Sequence, residues 1–218
     1  MGLFHRDSRD SRDKAAVTGT TAKDTAATGA TTTVVDPALA ALTGTYTVDP
    51  AHSELGFTAR HAMVTNVRGS FTDFSGTLRL DGSDPAASSA SIDARIASVD
   101  TGNADRDTHL RSGDFFDAEQ FPEMTFRSTG AEHLGGDDFR LTGDLTLKGV
   151  TRPLTIDLAF NGSAKDPFGN ERVGFEGRAE LLRSEWGLTW NAALETGGML
   201  VSDRIKLTFD ISAVRDTA

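Results

Sequence analysis

Alternation of apolar and polar side chains recurs from Thr45 to Val214 and gives way only once to a helical period. In Phe139-Arg-Leu-Thr-Gly-Asp-Leu-Thr-Leu-Lys148, the residues Phe139, Leu141, Gly143, Leu145 and Leu147 share one parity, and Arg140, Thr142, Asp144, Thr146 and Lys148 share the other. Successive side chains of a strand point to opposite faces, so each such run builds a sheet with one dry face and one wet face. A meander of such strands must hide its dry face, and closing on itself does so without leaving an edge. The chain is therefore expected to be all-β, and what fills its inside becomes the question about function.

Nine runs carry the pattern: 45–49, 54–60, 67–80, 90–99, 124–132, 138–148, 153–160, 172–183 and 204–214. Turn-forming clusters separate them, among them Asp81-Gly-Ser-Asp-Pro85, Gly135-Gly-Asp-Asp138 and Asp166-Pro-Phe-Gly-Asn170. That is enough for an extended eight-stranded antiparallel barrel with one run split or peripheral. The period changes near 103–117, where Asn103 is a good N-cap with acidic residues in the following turn. A second start follows at Ser112, and the adjacent Phe115 and Phe116 need burial at the mouth or wall of the barrel.

Residues 1–43 are rich in Ala, Thr and Asp and poor in large apolar side chains, a composition that does not offset the entropy of ordering. They read as a flexible tail before a domain spanning 44–214, with one capped helical turn at Asp36–Leu42 that can dock on a barrel end. The tail holds five basic and five acidic side chains, so the folded part carries the whole formal charge of −10. Such a surface repels a phosphate backbone, which argues against nucleic-acid binding. The sequence shows no apolar stretch long enough for a signal peptide or an integral membrane span, and a cytoplasmic location is expected. Cysteine is absent, which excludes disulfides and thiolate sites.

A barrel of eight strands is either filled by its own side chains or holds one small ligand. The inward parity includes small residues: Ala90 and Ala94 beside Ile92 and Ile96, Gly177 beside Phe175, and Gly143 beside Leu145. Small inward residues leave room for a ligand, or they alternate with large ones to fit the taper of a closed barrel. Around such a space stand Phe57, Phe71, Phe74, Phe126, Phe175, Trp186 and Trp190, with Phe115 and Phe116 from the helical insert. Catalytic chemistry has few candidates. Asp107 is placed to orient His109 as a base, but no metal-binding His-Glu-x-x-His and no nucleophile elbow is present. The alternative for Asp105, Arg106 and Asp107 is to cap and anchor the helix, and for His52 to close the turn Asp49–Ser53.

The ordered motifs resemble a known family. Tyr46, Val48, Asp49, His52, Ser53, Phe57 and His61 open the series, followed by Val67, Gly69, Phe71, Phe74 and Gly76. Then come Ser98-Val-Asp-Thr-Gly102 with Arg106, Asp107, His109 and Leu110, and Asp114-Phe-Phe-Asp117 with Phe121, Pro122 and Phe126. Gly143-Asp-Leu-Thr-Leu147 and Val201-Ser-Asp203 close it. Together they are similar to the YceI-like family of polyisoprenoid-binding proteins over about 44–214. The resemblance implies a lipocalin-like barrel that holds a long isoprenoid or similar alkyl lipid in its lumen; with the lack of catalytic motifs, no enzyme, metal or further cofactor is expected. Arg106 or His61 at the mouth then becomes a contact for a polar head group, since Arg suits bidentate phosphate contacts. Burial of a chain of roughly 40 carbons would gain ~30 kcal/mol before ordering costs. Other expectations are a homodimer through an exposed strand edge and, as the competing reading, a non-catalytic scaffold or stress-associated interaction protein whose lipid is incidental.

Overall fold

A computed structural model describes residues 37–195 and 197–217. Among the described residues there are eleven strands: β1 (Gly44–Val48), β2 (Glu54–His61), β3 (Thr65–Phe71), β4 (Phe74–Leu80), β5 (Ser89–Arg95), β6 (Val99–Asp100), β7 (Glu123–Gly135), β8 (Asp138–Leu147), β9 (Val150–Lys165), β10 (Glu171–Leu182) and β11 (Val201–Arg215). Every pairing is antiparallel. Strand β11 pairs with β10 along one edge, and along the other with β2 and then β1, which closes the sheet. Strands β1 and β2, β3 and β4, and β5 and β6 are bent pairs that each fill one position. The result is a closed eight-stranded antiparallel barrel.

Local chemistry explains the bends. Between β1 and β2 the Asp49 side chain accepts the Ala51 amide at 3.1 Å, Pro50 fixes the next φ, and a single 3₁₀ turn spans Pro50–His52. The expected split run is therefore β1/β2. A second break, at Thr72-Asp73, falls inside a run read as continuous. There Ser98 accepts both the Thr72 amide (3.3 Å) and its hydroxyl (3.2 Å), and the Asp73 carbonyl accepts the Arg95 amide at 2.8 Å.

Burial follows the alternation. In β8, Leu141, Gly143, Leu145 and Leu147 are buried, while Arg140, Thr142 and Asp144 face solvent. The outer face is laced by cross-strand pairs such as Arg140–Asp157 and Arg127–Asp93, exposed pairs worth little individually.

The insertion is one helix, α2 (Ala104–Arg111), capped by Asn103, whose Oδ1 accepts the Arg106 amide at 2.9 Å. The second expected start, at Ser112, instead forms tight turns in which the Phe115 amide bonds the Ser112 carbonyl and the Phe116 amide bonds the Leu110 carbonyl. These turns bury both phenylalanines.

A short helix, α1 (Pro37–Ala40), precedes β1. Its proposed cap Asp36 and the rest of the tail, 1–36, lie outside the described residues. Residues 37–43, grouped with the tail on composition, are held in place. The Tyr46 hydroxyl donates to the Leu42 carbonyl at 2.9 Å, and Arg215 donates to the carbonyls of Ala41 (2.7 Å) and Thr43 (3.2 Å). The Gly82 amide bonds Thr43 Oγ1 at 3.0 Å, and Gly82 packs so closely on the Leu39 carbonyl that no side chain fits there.

Candidate functional site

The barrel is hollow. A cavity of about 270 Å³ runs from the α1 end, where Leu39, Leu42 and Leu80 line it, to the α2 end, where Leu110, Leu188 and Val201 do. On β11 the wall extends from Val201 to Ile211. Ten residues of strand, at about 3.3 Å each and tilted some 40°, give a lumen of roughly 25 Å along the barrel axis. Almost all of the wall is carbon.

Eight of the expected site residues form part of this wall: Phe57, Phe71, Ile92, Phe115, Phe116, Phe126, Leu145 and Phe175. Phe57, Phe71 and Phe116 make a chain of ring contacts, each step 5.8 Å between centroids. Phe175 meets Phe160 at 5.3 Å.

The other eight sit elsewhere. Phe74, Ala94 and Ile96 are buried in the packed core behind the wall. Trp186 is buried and donates its indole N–H to the Leu145 carbonyl at 3.1 Å, so it is a structural peg. Trp190 packs against Phe115 (5.2 Å) and His109 (4.7 Å), one layer out from the lumen. Gly177 is covered by Leu158, Phe209 and Ile156, so its missing side chain is a seat for neighbours and not open volume. Arg106 turns away from the lumen: Nε donates to Thr101 Oγ1 (2.7 Å) and Nη2 to the Thr101 carbonyl (2.9 Å). His61 is exposed beside Val201.

The polar cluster of α2 anchors the helix. Buried Asp107 accepts the Thr101 amide (2.9 Å) and hydroxyl (2.6 Å), so it does not orient His109. His109 pairs instead with Asp114 at 2.9 Å. His52 closes its turn on Asp49 at 2.8 Å. Arg172, 2.6 Å away, followed by His52, holds the Asp49 carboxyl below its ordinary range. Among the described residues, no three His, Asp or Glu side chains converge as a metal site.

Sequence reading missed Arg183. This residue follows β10 in a 3₁₀ turn (Arg183–Trp186) that ends at left-handed Gly187, φ 75°. The turn folds the next carbonyls back over the guanidinium, and Arg183 as a whole is only 6 % exposed and borders the cavity. Nε donates to the Ser202 carbonyl (3.0 Å), and Nη1 to the carbonyls of Leu188 and, at 3.0 Å, Trp190. Burial pulls its pKa down, and nearby Asp203 partly opposes that. The sequence did hold a signal: Arg183 continues the inward parity of Val173, Phe175, Gly177, Ala179 and Leu181.

With this geometry in place, the chain can be set beside known proteins. Residues 46–213 match the family described as the YceI-like domain. A protein of Azotobacter vinelandii designated UPF0312 is 39% identical over 150 residues, covering 68% of this chain and 78% of its own. The crystal structure of BcnA from Burkholderia cenocepacia superposes with a TM-score of 0.67 at 25% identity, covering 76% of this chain and 98% of its own. A polyisoprenoid binding domain from Saccharophagus degradans, implicated in plant cell wall breakdown, shares the fold, with a TM-score of 0.60 at 17% identity over 78% of this chain and 98% of its own.

Proposed function

The chain belongs to the YceI-like family, and from that membership and its hollow barrel we propose that it binds, and so sequesters or carries, one long isoprenoid or similar alkyl lipid in the lumen. The observation that carries this reading is the continuous carbon-lined cavity from the α1 end to the α2 end. Protein interiors normally pack to crystal density, so a core left open along the barrel is a place for a guest. An apolar cavity excludes water and polar ligands, and it rewards a chain in proportion to the methylenes it buries.

Magnitudes set the class of guest. At ~0.8 kcal/mol per buried CH₂, a chain of about ten carbons gains ~8 kcal/mol, within the cost of association itself, whereas a chain of about 20 gains ~16 kcal/mol. Long chains are therefore retained and short ones exchange. The fold shared with a polyisoprenoid binding domain supports the same class. The polar side chains near the lumen act as pegs and caps, which favours a binding protein over an enzyme.

The test is direct. Purified protein is denatured and extracted with organic solvent, and the extract is weighed by mass spectrometry against protein amount. Close to one long-chain lipid per chain is expected. Extracts that stay lipid-free, together with failure of the purified protein to take up a long-chain alcohol, would overturn the reading.

A further inference from the structure

Two arginines of the described residues border the cavity, and only one of them, Arg183, continues the inward parity of its strand. Arg140 is exposed and paired with Asp157 at 3.0 Å. Arg183 is buried, and among the described residues no carboxylate lies within ion-pair distance of it. Asp203 acts on it through space but stays beyond ion-pair distance, with one carboxylate oxygen accepting the Ser184 amide (2.9 Å) and the other the Ser184 hydroxyl (2.8 Å). Three carbonyls take the protons of Nε and Nη1, but no described residue accepts from Nη2.

A guanidinium in a residue this buried, with no carboxylate at ion-pair distance, is costly, and carbonyl dipoles offset only part of that cost. Its free edge belongs to a group that forms the wall of an otherwise carbon-lined lumen. A neutral oxygen there would satisfy a hydrogen bond and add no charge at ion-pair distance. A carboxylate or phosphate would supply both the hydrogen bond and the charge, and Arg matches the planar, two-oxygen geometry of either.

We propose that Arg183 is the head-group anchor of the lumen, and that the natural cargo is an acidic lipid whose carboxylate or phosphate sits at the α2 end with its chain running towards α1. This inference rests on the lumen being the lipid site, and it names the chemical class of the cargo. The local design agrees with it: Leu188, whose carbonyl holds Arg183, also lines the cavity, so the anchor and the first stretch of apolar wall come from one turn.

The experiment uses the delipidated full chain and four probes: hexadecanoate, hexadecanol, geranylgeranyl monophosphate and geranylgeraniol. Binding is followed by the fluorescence of Trp186 and Trp190, the only two tryptophans. Each acid is expected to bind about 10- to 100-fold more tightly than its own alcohol, the range for a charge-assisted hydrogen bond. The comparison of the two acids separates carboxylate from phosphate cargo. In Arg183→Gln the acid-to-alcohol ratio should fall towards one, and Arg183→Lys should recover part of it. Equal binding of acid and alcohol by the native chain overturns the anchor and leaves the lumen intact as a lipid site. A preference that survives in Arg183→Gln also overturns it. Binding of none of the four removes the lumen reading itself, and the anchor with it. Should Arg183→Gln fail to fold, the native acid-to-alcohol ratio alone decides.

Discussion

The inward glycines of this barrel are seats for neighbouring side chains. A Cβ at Gly143 would lie 2.4 Å from Phe126 Cζ and 2.6 Å from the Arg127 carbonyl oxygen, and backbone does not give way as a flexible side chain does. Gly143→Ala should therefore lose about 1–3 kcal/mol of stability, read from the urea midpoint at unchanged m-value. Charge clusters act at the same scale. Arg172 donates to Asp49 at 2.6 Å and to Asp166 at 3.0 Å. Asp49 is held below the ordinary carboxylate range chiefly by Arg172, and Asp166 by Asn170 and then Arg172. A carboxyl whose pKa is lower folded than unfolded stabilises the fold above its unfolded value and loses that contribution as pH falls from there through its folded value. The melting temperature should thus be flat near neutrality and drop steeply below about pH 4, the unfolded range for Asp. Arg172→Met should lower it at pH 7 and make the acid limb shallower. A limb as steep as the native one would show that other carboxyls set it.

Elements differ in how openly the sequence announces them. The β7–β8 turn at Gly135-Gly136 and the β9–β10 turn at Asp166–Asn170 are written in turn-forming residues, and Asn103 marks the start of α2. The break at Thr72-Asp73 carries neither Gly nor Pro, and its bonding partner, Ser98, is 26 residues away in sequence, so no local pattern shows it. Residues 37–43 were legible only in part, as a helical turn able to dock on a barrel end. Their composition resembles the tail, and only tertiary partners such as Arg215 and Gly82 decide that they stay on the barrel. The turn joining β2 to β3 is unusual in the opposite sense. Ala62 and Met63 both have left-handed φ (48° and 61°) in a turn closed by the Val64 amide on the His61 carbonyl at 3.1 Å. Such a turn prefers Asn-Gly, and each L-residue held there costs about 1–2 kcal/mol. Met63 is 61% exposed, so removing its side chain loses little packing. Ala62→Asn with Met63→Gly should raise stability by about 1 kcal/mol, seen as a higher thermal midpoint. A lower midpoint would mean that the native side chains pack more than their exposure suggests.

At the scale of the whole molecule, alternation established which face is inward, and even placed Arg183 there, but it did not establish the volume. Of the small inward residues, which on parity suggested open space, the glycines are filled: Phe126 covers Gly143, and Leu158 and Phe209 cover Gly177, whereas Ala90 lines the cavity. The lumen arises instead from the circumference of eight staggered strands, which these side chains line without meeting across the middle. Circumference depends on register across the entire sheet, and no single run of sequence contains it. The same distinction tells filling the lumen apart from crowding the core. Ala59 lies on the cavity wall, so Ala59→Trp projects an indole into open space. Ala94 is 2% exposed and paired with Phe74 and Met124, so Ala94→Trp forces a ring into packed atoms. The expected outcome is a folded Ala59→Trp protein that melts cooperatively within a few degrees of the native chain yet carries little lipid. Ala94→Trp should instead lose about 1–3 kcal/mol or more. Lipid-to-protein ratios from solvent extraction, set beside thermal melts of both variants, make the comparison. An Ala59→Trp protein that still holds a full complement of lipid would show that its cargo sits outside the barrel.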